Sequence, residues 1–139
     1  MDIKECFDRR LLVKIPKDIE KAKRSLEIAQ SKLIEAQNLS HSNFYNFSVI
    51  SAYMSMFHSA RAILYSEGIQ EKSHYAIFVY LNEKYYDKIP KNLLISFNNY
   101  REERHEALYG FDYSASLKDA ESACSDAKDF LSKVKELLR

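Results

Sequence analysis

Phe44-Tyr45-Asn46-Phe47-Ser48-Val49-Ile50-Ser51-Ala52-Tyr53-Met54-Ser55-Met56-Phe57-His58-Ser59-Ala60-Arg61-Ala62-Ile63-Leu64-Tyr65-Ser66 is the segment that decides the fold. Val49, Ala52, Tyr53, Met56, Phe57, Ala60, Ile63 and Leu64 recur at helical spacing and cover more than one stripe. A helix with that much apolar surface is surrounded by others, so this one is expected at the centre of the molecule, ending near Gly68. Upstream, Ile19, Ala22, Leu26, Ala29, Leu33 and Ala36 keep the 3-4-3-4-3 spacing of a narrow packing seam, with Lys, Glu and Gln on the other faces. The polar run Asn38 to Asn43 reads as the connection between these two helices. A short first helix from about Ile3 to Leu12 is expected to stop before Ile15-Pro16, because the residue preceding proline avoids the α region.

Downstream, Ser73 is placed to cap a fourth helix from about His74 to Tyr86, with Ile77, Phe78, Leu81 and Tyr85 turned inward. Pro90 separates it from a fifth at about Lys91 to Leu108. After Gly110 a last helix runs from about Ser116 to Leu138, on the seam Leu117, Ala120, Cys124, Ala127, Leu131, Val134 and Leu138. The expected fold is all-α: an antiparallel up-and-down bundle of about five helices, a single domain over 1–139. Ala29, Leu33, Phe57, Ala60, Leu64, Leu131 and Val134 are expected in its core. The scattered serines read as loops and helix caps.

Composition agrees. The chain has 139 residues, with only 2 Gly and 2 Pro, no Thr or Trp, and abundant Ala, Leu, Lys, Glu and Ser. A formal net charge of +1 argues against non-specific coating of nucleic acid but allows a local basic groove. The N-terminus has no basic region followed by an apolar core, and no apolar run approaches the roughly 20 residues of a membrane span, so a cytoplasmic protein is expected. Cys6 and Cys124 lack CxxC spacing and read as free thiols. His41, His58, His74 and His105 show no metal-ligand spacing, and no Gly-rich phosphate loop is present, so neither a metal nor a cofactor is expected.

One helix is not oily where it should be. Leu94, Phe97, Arg101, Arg104 and Leu108 form a single line at i, i+3, i+7, i+10 and i+14, interrupted by two guanidinium groups. Arg is rarely buried without an anionic or hydrogen-bonding partner, so the line should end in a cleft or at a subunit interface. One reading is phosphate contact through the planar donor fork; the other is ion pairing with Glu102, Glu103, Glu106 or a second subunit. His105 could act as a general acid or base, or be a solvated helix histidine. His58 and Arg61, beside the apolar positions of the central helix, fit a dimer seam, the same cleft, or buried hydrogen-bonded sites. His74, just after its capping Ser, reads as a helix-terminus residue. The 10 tyrosines could stack bases, though most fall at packing positions.

Three segments carry a resemblance to a known family: Ser51 to Gly68 as its central helix, Lys72-Ser73-His74-Tyr75, and Tyr100-Arg101-Glu102-Glu103-Arg104-His105-Glu106-Ala107-Leu108-Tyr109-Gly110. Together they resemble the HEPN family, small helical bundles named for higher eukaryotes and prokaryotes nucleotide-binding. The resemblance implies a bundle of about five helices, a homodimer, and a neighbouring partner with a minimal nucleotidyltransferase domain, in pairs that commonly act as toxin and antitoxin. It also implies a metal-independent ribonuclease site, in which an Arg, four to six further residues and a His meet near the dimer cleft. This chain departs from that pattern. Four residues after Arg104 lead to Tyr109, and Arg101 is followed by His105 after only three.

On this footing Arg101, Arg104 and His105 are the candidate catalytic residues, and Arg101, Arg104 and Tyr109 the candidate phosphate or nucleotide contacts. Tyr53, His58 and Arg61 are candidates for the cleft or interface. Tyr109 and Tyr113 lie near where the family's partner enzyme can modify a tyrosine. The expected function is a toxin-like or substrate-binding component that meets RNA or a nucleotide. The alternatives are a weak ribonuclease using His105 and a purely structural dimerisation module.

Overall fold

The computed structural model describes all residues 1–139. The chain forms α1 (Ile3–Asp8), β1 (Leu12–Lys14), α2 (Ile19–His41), α3 (Tyr45–Ser66), β2 (Ile69–Glu71), α4 (His74–Lys84), α5 (Lys91–Tyr109) and α6 (Leu117–Leu137). Side-chain caps start most of the helices. Asp18 accepts from Lys21 N, Ser73 accepts from Ala76 N, and Ser116 and Asp119 form a reciprocal capping box at α6. The α2–α3 link is a tight turn in which Asn43 takes a left-handed φ of 67°, which reverses the chain and makes the two helices an antiparallel hairpin.

α3 is the centre, touching α2, α5, α6 and α4. All seven core residues expected from periodicity are buried, together with Tyr53, Phe97 and Phe130. The seams end sooner than expected: Ile19 and Leu117 are exposed, as is Leu108 at the end of the arginine line.

The serines depart most from the sequence reading. Ser25, Ser40, Ser48, Ser51, Ser55 and Ser59 are buried along the α2–α3 contact. Ser48 Oγ donates to Ala36 O at 2.7 Å, Ser51 Oγ to Lys32 O at 3.0 Å and Ser55 Oγ to Ala29 O at 2.8 Å. Ser48 and Ser55 thus reach the backbone at Ala36 and Ala29, and small side chains on both helices let the backbones come close. Each hydroxyl then uses a second lone pair of a carbonyl already in the helix ladder.

The ends of two elements and a small sheet also differ from expectation. The run 38–43 is mostly helix, since α2 continues to His41. α4 stops at Lys84 rather than Tyr86. The first helix ends at Asp8, where Arg10 turns with φ 59°, and Leu12–Lys14 pairs antiparallel with Ile69–Glu71, Leu12 opposite Glu71. Two three-residue strands carry too little alternation to be visible in sequence. Gly68 makes the pairing possible: its φ is +76°, and a Cβ there would stand 2.7 Å from Ile15 O. The ribbon ties the N-terminal segment to the α3–α4 connection, with Lys72 N donating to Leu11 O at 2.7 Å.

Candidate functional site

α3, the start of α4 and the middle of α5 bring an aromatic floor and three guanidinium groups together. The floor begins with Tyr53, fully buried, whose ring stacks on Phe97 at 5.6 Å between centroids. Phe57, one turn further along α3, stacks face to face with His74 at 4.2 Å and 20°. The Tyr53 hydroxyl lies 2.8 Å from His74 Nδ1. Ser73 caps α4 and so fixes where His74 begins.

The arginines ring this floor. Arg61 lies over both Phe57 and Tyr65, at 5.4 and 5.2 Å from the ring centroids, and its Nε is 2.5 Å from Oε1 of the buried Glu71. That contact is an ion pair, not an aligned hydrogen bond, because the Nε–H has no acceptor in line. Arg101 covers Tyr75 at 5.1 Å, donates to Asn98 Oδ1 at 3.1 Å and approaches the exposed Glu102 only to 3.5 Å. Arg104 is half-buried and makes no ion pair or hydrogen bond within the chain.

The electrostatics follow from burial and this cluster. Burial pushes the Tyr53 phenol well above its ordinary value, against the pull of Arg104 and Arg101. Burial, then Arg104, Arg101 and Arg61, hold His74 down at about 4. His58, one residue beyond Phe57, is held at about 4 by burial and then by Arg61, Lys32 and His74. Its Nδ1 is buried without a partner. Both imidazoles are therefore neutral at pH 7, and the positive charge resides on the guanidinium groups.

The sequence-derived candidates divide between this cluster and another surface. Arg101, Arg104, Tyr53, Arg61 and His58 belong to the cluster. His105 and Tyr109 do not: both are exposed and pack on each other at 5.1 Å. His105 lines an open depression of about 460 Å³ with Arg101, Glu102 and Glu106. Tyr113 is half-buried near the start of α6, its hydroxyl buried without a partner. The sequence reading gave His74 no part in the site and did not consider Glu71. The one local signal was the Lys72-Ser73-His74-Tyr75 segment. A depression of about 250 Å³ lies beside the cluster, lined by Phe57, Arg61, Gln70, Glu71, Lys72, Ser73 and His74. No group of three or more His, Cys, Asp or Glu side chains is placed to hold a metal ion. No helix is long and apolar enough to cross a membrane.

With this arrangement in view, the HEPN domain model matches residues 22–137. The chain belongs to the HEPN family. Two relatives come from Methanocaldococcus jannaschii, and the name of each marks it as a candidate toxin. One is 30% identical, over 88% of this chain and 93% of its own length; the other is 29% identical, over 96% and 88%. The family match runs from within α2 to the end of α6 and so contains every residue of the arginine cluster. β1, which is paired to β2 beside Glu71, lies outside it.

Proposed function

We propose that this HEPN protein is the toxin-like component of a two-component system with a minimal nucleotidyltransferase partner. It acts in the cytoplasm as a homodimer of single-domain chains and holds RNA phosphate on Arg101 and Arg104. The observation that carries the reading is the half-buried Arg104, unpaired in the chain, beside a weakly paired Arg101. Arg104 and Arg101, three residues apart on α5, both act on Tyr53 and His74, so their like charges bear on one place and an anion there relieves the repulsion between them. The names of the two relatives support the toxin-like role. Tyr109, exposed at the end of α5, is accessible to a modifying partner.

The dimer reading rests on the outer stripe of α3. Phe47, Ile50, Met54, His58 and Arg61 follow one another at helical spacing, and Phe47 is 59% exposed; Phe44 and Ile34 are exposed as well. A second copy on this stripe would bring two arginine clusters to one interface. Light scattering at tens of micromolar should give twice the chain mass, falling to one chain mass in Phe47→Glu/Met54→Glu. A monomeric wild-type protein would remove the dimer from the reading.

The phosphate reading is tested with a labelled single-stranded RNA oligomer. Arg101→Gln/Arg104→Gln should weaken binding by about tenfold or more, since charge-assisted contacts are worth about 1.5–3 kcal/mol each. Lys118 and Lys128 are the appropriate exposed controls. Lys32 and Lys133, which sequence spacing puts on the solvent side, are half-buried, and Lys32 acts on His58. If the double Gln variant binds RNA normally but falls apart into monomers, the arginines are structural. A second reading, a weak metal-independent ribonuclease, is favoured by the depression that His105 shares with Arg101. RNA cleavage in chelator that His105→Ala abolishes would establish it.

A further inference from the structure

We infer that His74 is a third recognition group for the phosphate held by Arg101 and Arg104, presenting a neutral Nε2–H, with Tyr53 as the residue that positions it. The inference rests on the phosphate reading above. The first step concerns the shared proton. Tyr53 is fully buried, and its hydroxyl has one partner in the chain, His74 Nδ1 at 2.8 Å. If Nδ1 carried a hydrogen and donated it, the phenol proton would point into the apolar wall of Phe57 and Phe97 without an acceptor. If the phenol donates, the phenol proton has its acceptor. Nδ1 is then the acceptor, and the ring hydrogen sits on Nε2.

The second step concerns charge. An imidazolium would carry hydrogens on both nitrogens and could not accept from Tyr53. Arg61, Arg101 and Arg104 all act against that form. The ring is also immobilised, stacked on Phe57 at 4.2 Å and flanked by Tyr53 at 5.8 Å. Its Nε2 has no partner in the chain and is not among the sealed polar atoms. A fixed, neutral N–H within the field of these guanidinium groups adds a directional donor without adding to the repulsion between them. The Arg fork supplies charge and His74 supplies orientation, because a pre-set donor needs no ordering when the anion arrives.

Two measurements decide it. Long-range proton–nitrogen correlation on the wild-type protein with labelled histidine should show, at pH 7, an unprotonated Nδ1 and a protonated Nε2 at His74, and Tyr53→Phe should move the ring toward the free mixture of tautomers. A protonated Nδ1 would overturn the inference without any ligand. The second measurement compares substitutions in the RNA-binding assay. Gln places an amide N–H near the ε position, whereas Asn reaches only as far as Nδ1. His74→Gln should bind within about threefold of wild type and His74→Asn about tenfold more weakly, the scale of one charge-assisted hydrogen bond. Tyr53→Phe should weaken binding in the wild-type background and have no further effect in the His74→Gln background, a non-additivity that a general packing role would not produce. If Arg101→Gln/Arg104→Gln loses RNA while His74→Asn binds like wild type, the His74 inference falls and the phosphate reading stands. If the double Arg variant binds like wild type, the phosphate reading itself fails.

Discussion

Replacing Phe97 with alanine should lower the free energy of unfolding by about 3–5 kcal/mol, the range for removing a fully packed aromatic ring. The ring is 1% exposed and lies between Tyr53 at 5.6 Å and Phe130 at 5.2 Å. It therefore joins α5 to both α3 and α6. The loss combines the transfer term with the cavity left where the ring stood between Tyr53 and Phe130. Urea unfolding followed by circular dichroism measures it. A change below about 1 kcal/mol would mean that α5 does not unfold with the rest of the bundle. Because Phe97 also backs Tyr53, the same substitution should loosen the hydroxyl from His74 and weaken RNA binding under conditions where the variant remains folded.

Acidification should destabilise the protein by about 2–4 kcal/mol between pH 6.5 and pH 4. His58 and His74 are both held at about 4 in the folded chain, against 6.5 as the ordinary value. The unfolded chain binds these protons first. Their contribution is fully present above about pH 6.5 and is lost as the pH falls through the folded value near 4. Each difference corresponds to about 3 kcal/mol at 1.36 kcal/mol per pH unit, and solvent access to half-buried rings reduces it to about 1–2. Urea midpoints at pH 7.5 and pH 4.5 should differ accordingly, and His58→Gln/His74→Gln should be more stable than wild type at the lower pH relative to the higher. Equal pH dependence in wild type and double variant would assign the acid sensitivity to other groups.

Much of the fold was legible because its signals are local. The seam Ala120, Cys124, Ala127, Leu131, Val134 repeats every three or four residues and is buried as that spacing requires. Ser73 and Ser116 announce their helices through a side chain that reaches only three residues ahead. The arginine pair was legible for the same reason, as two charged residues on a line begun by Leu94 and Phe97. The buried serines were not, since a short hydroxyl side chain serves a cap, a turn or a close helix contact equally well. Only the α2 backbone opposite Ser48, Ser51 and Ser55 tells them apart.

The amino-acid sequence alone determined that this chain is a helical bundle with α3 at its centre and two arginines on a face that should be apolar. Helical periodicity and capping act within a few residues and need no knowledge of the partner helix. The tertiary structure decided which polar groups meet. It set His105 outward beside Tyr109, left Arg104 unpaired, and brought the Tyr53 hydroxyl to His74 across 21 positions of sequence. A hydrogen bond between helices depends on the rotation and offset with which they pack, and those are fixed by side-chain volumes throughout the core rather than by any pattern around the two residues themselves.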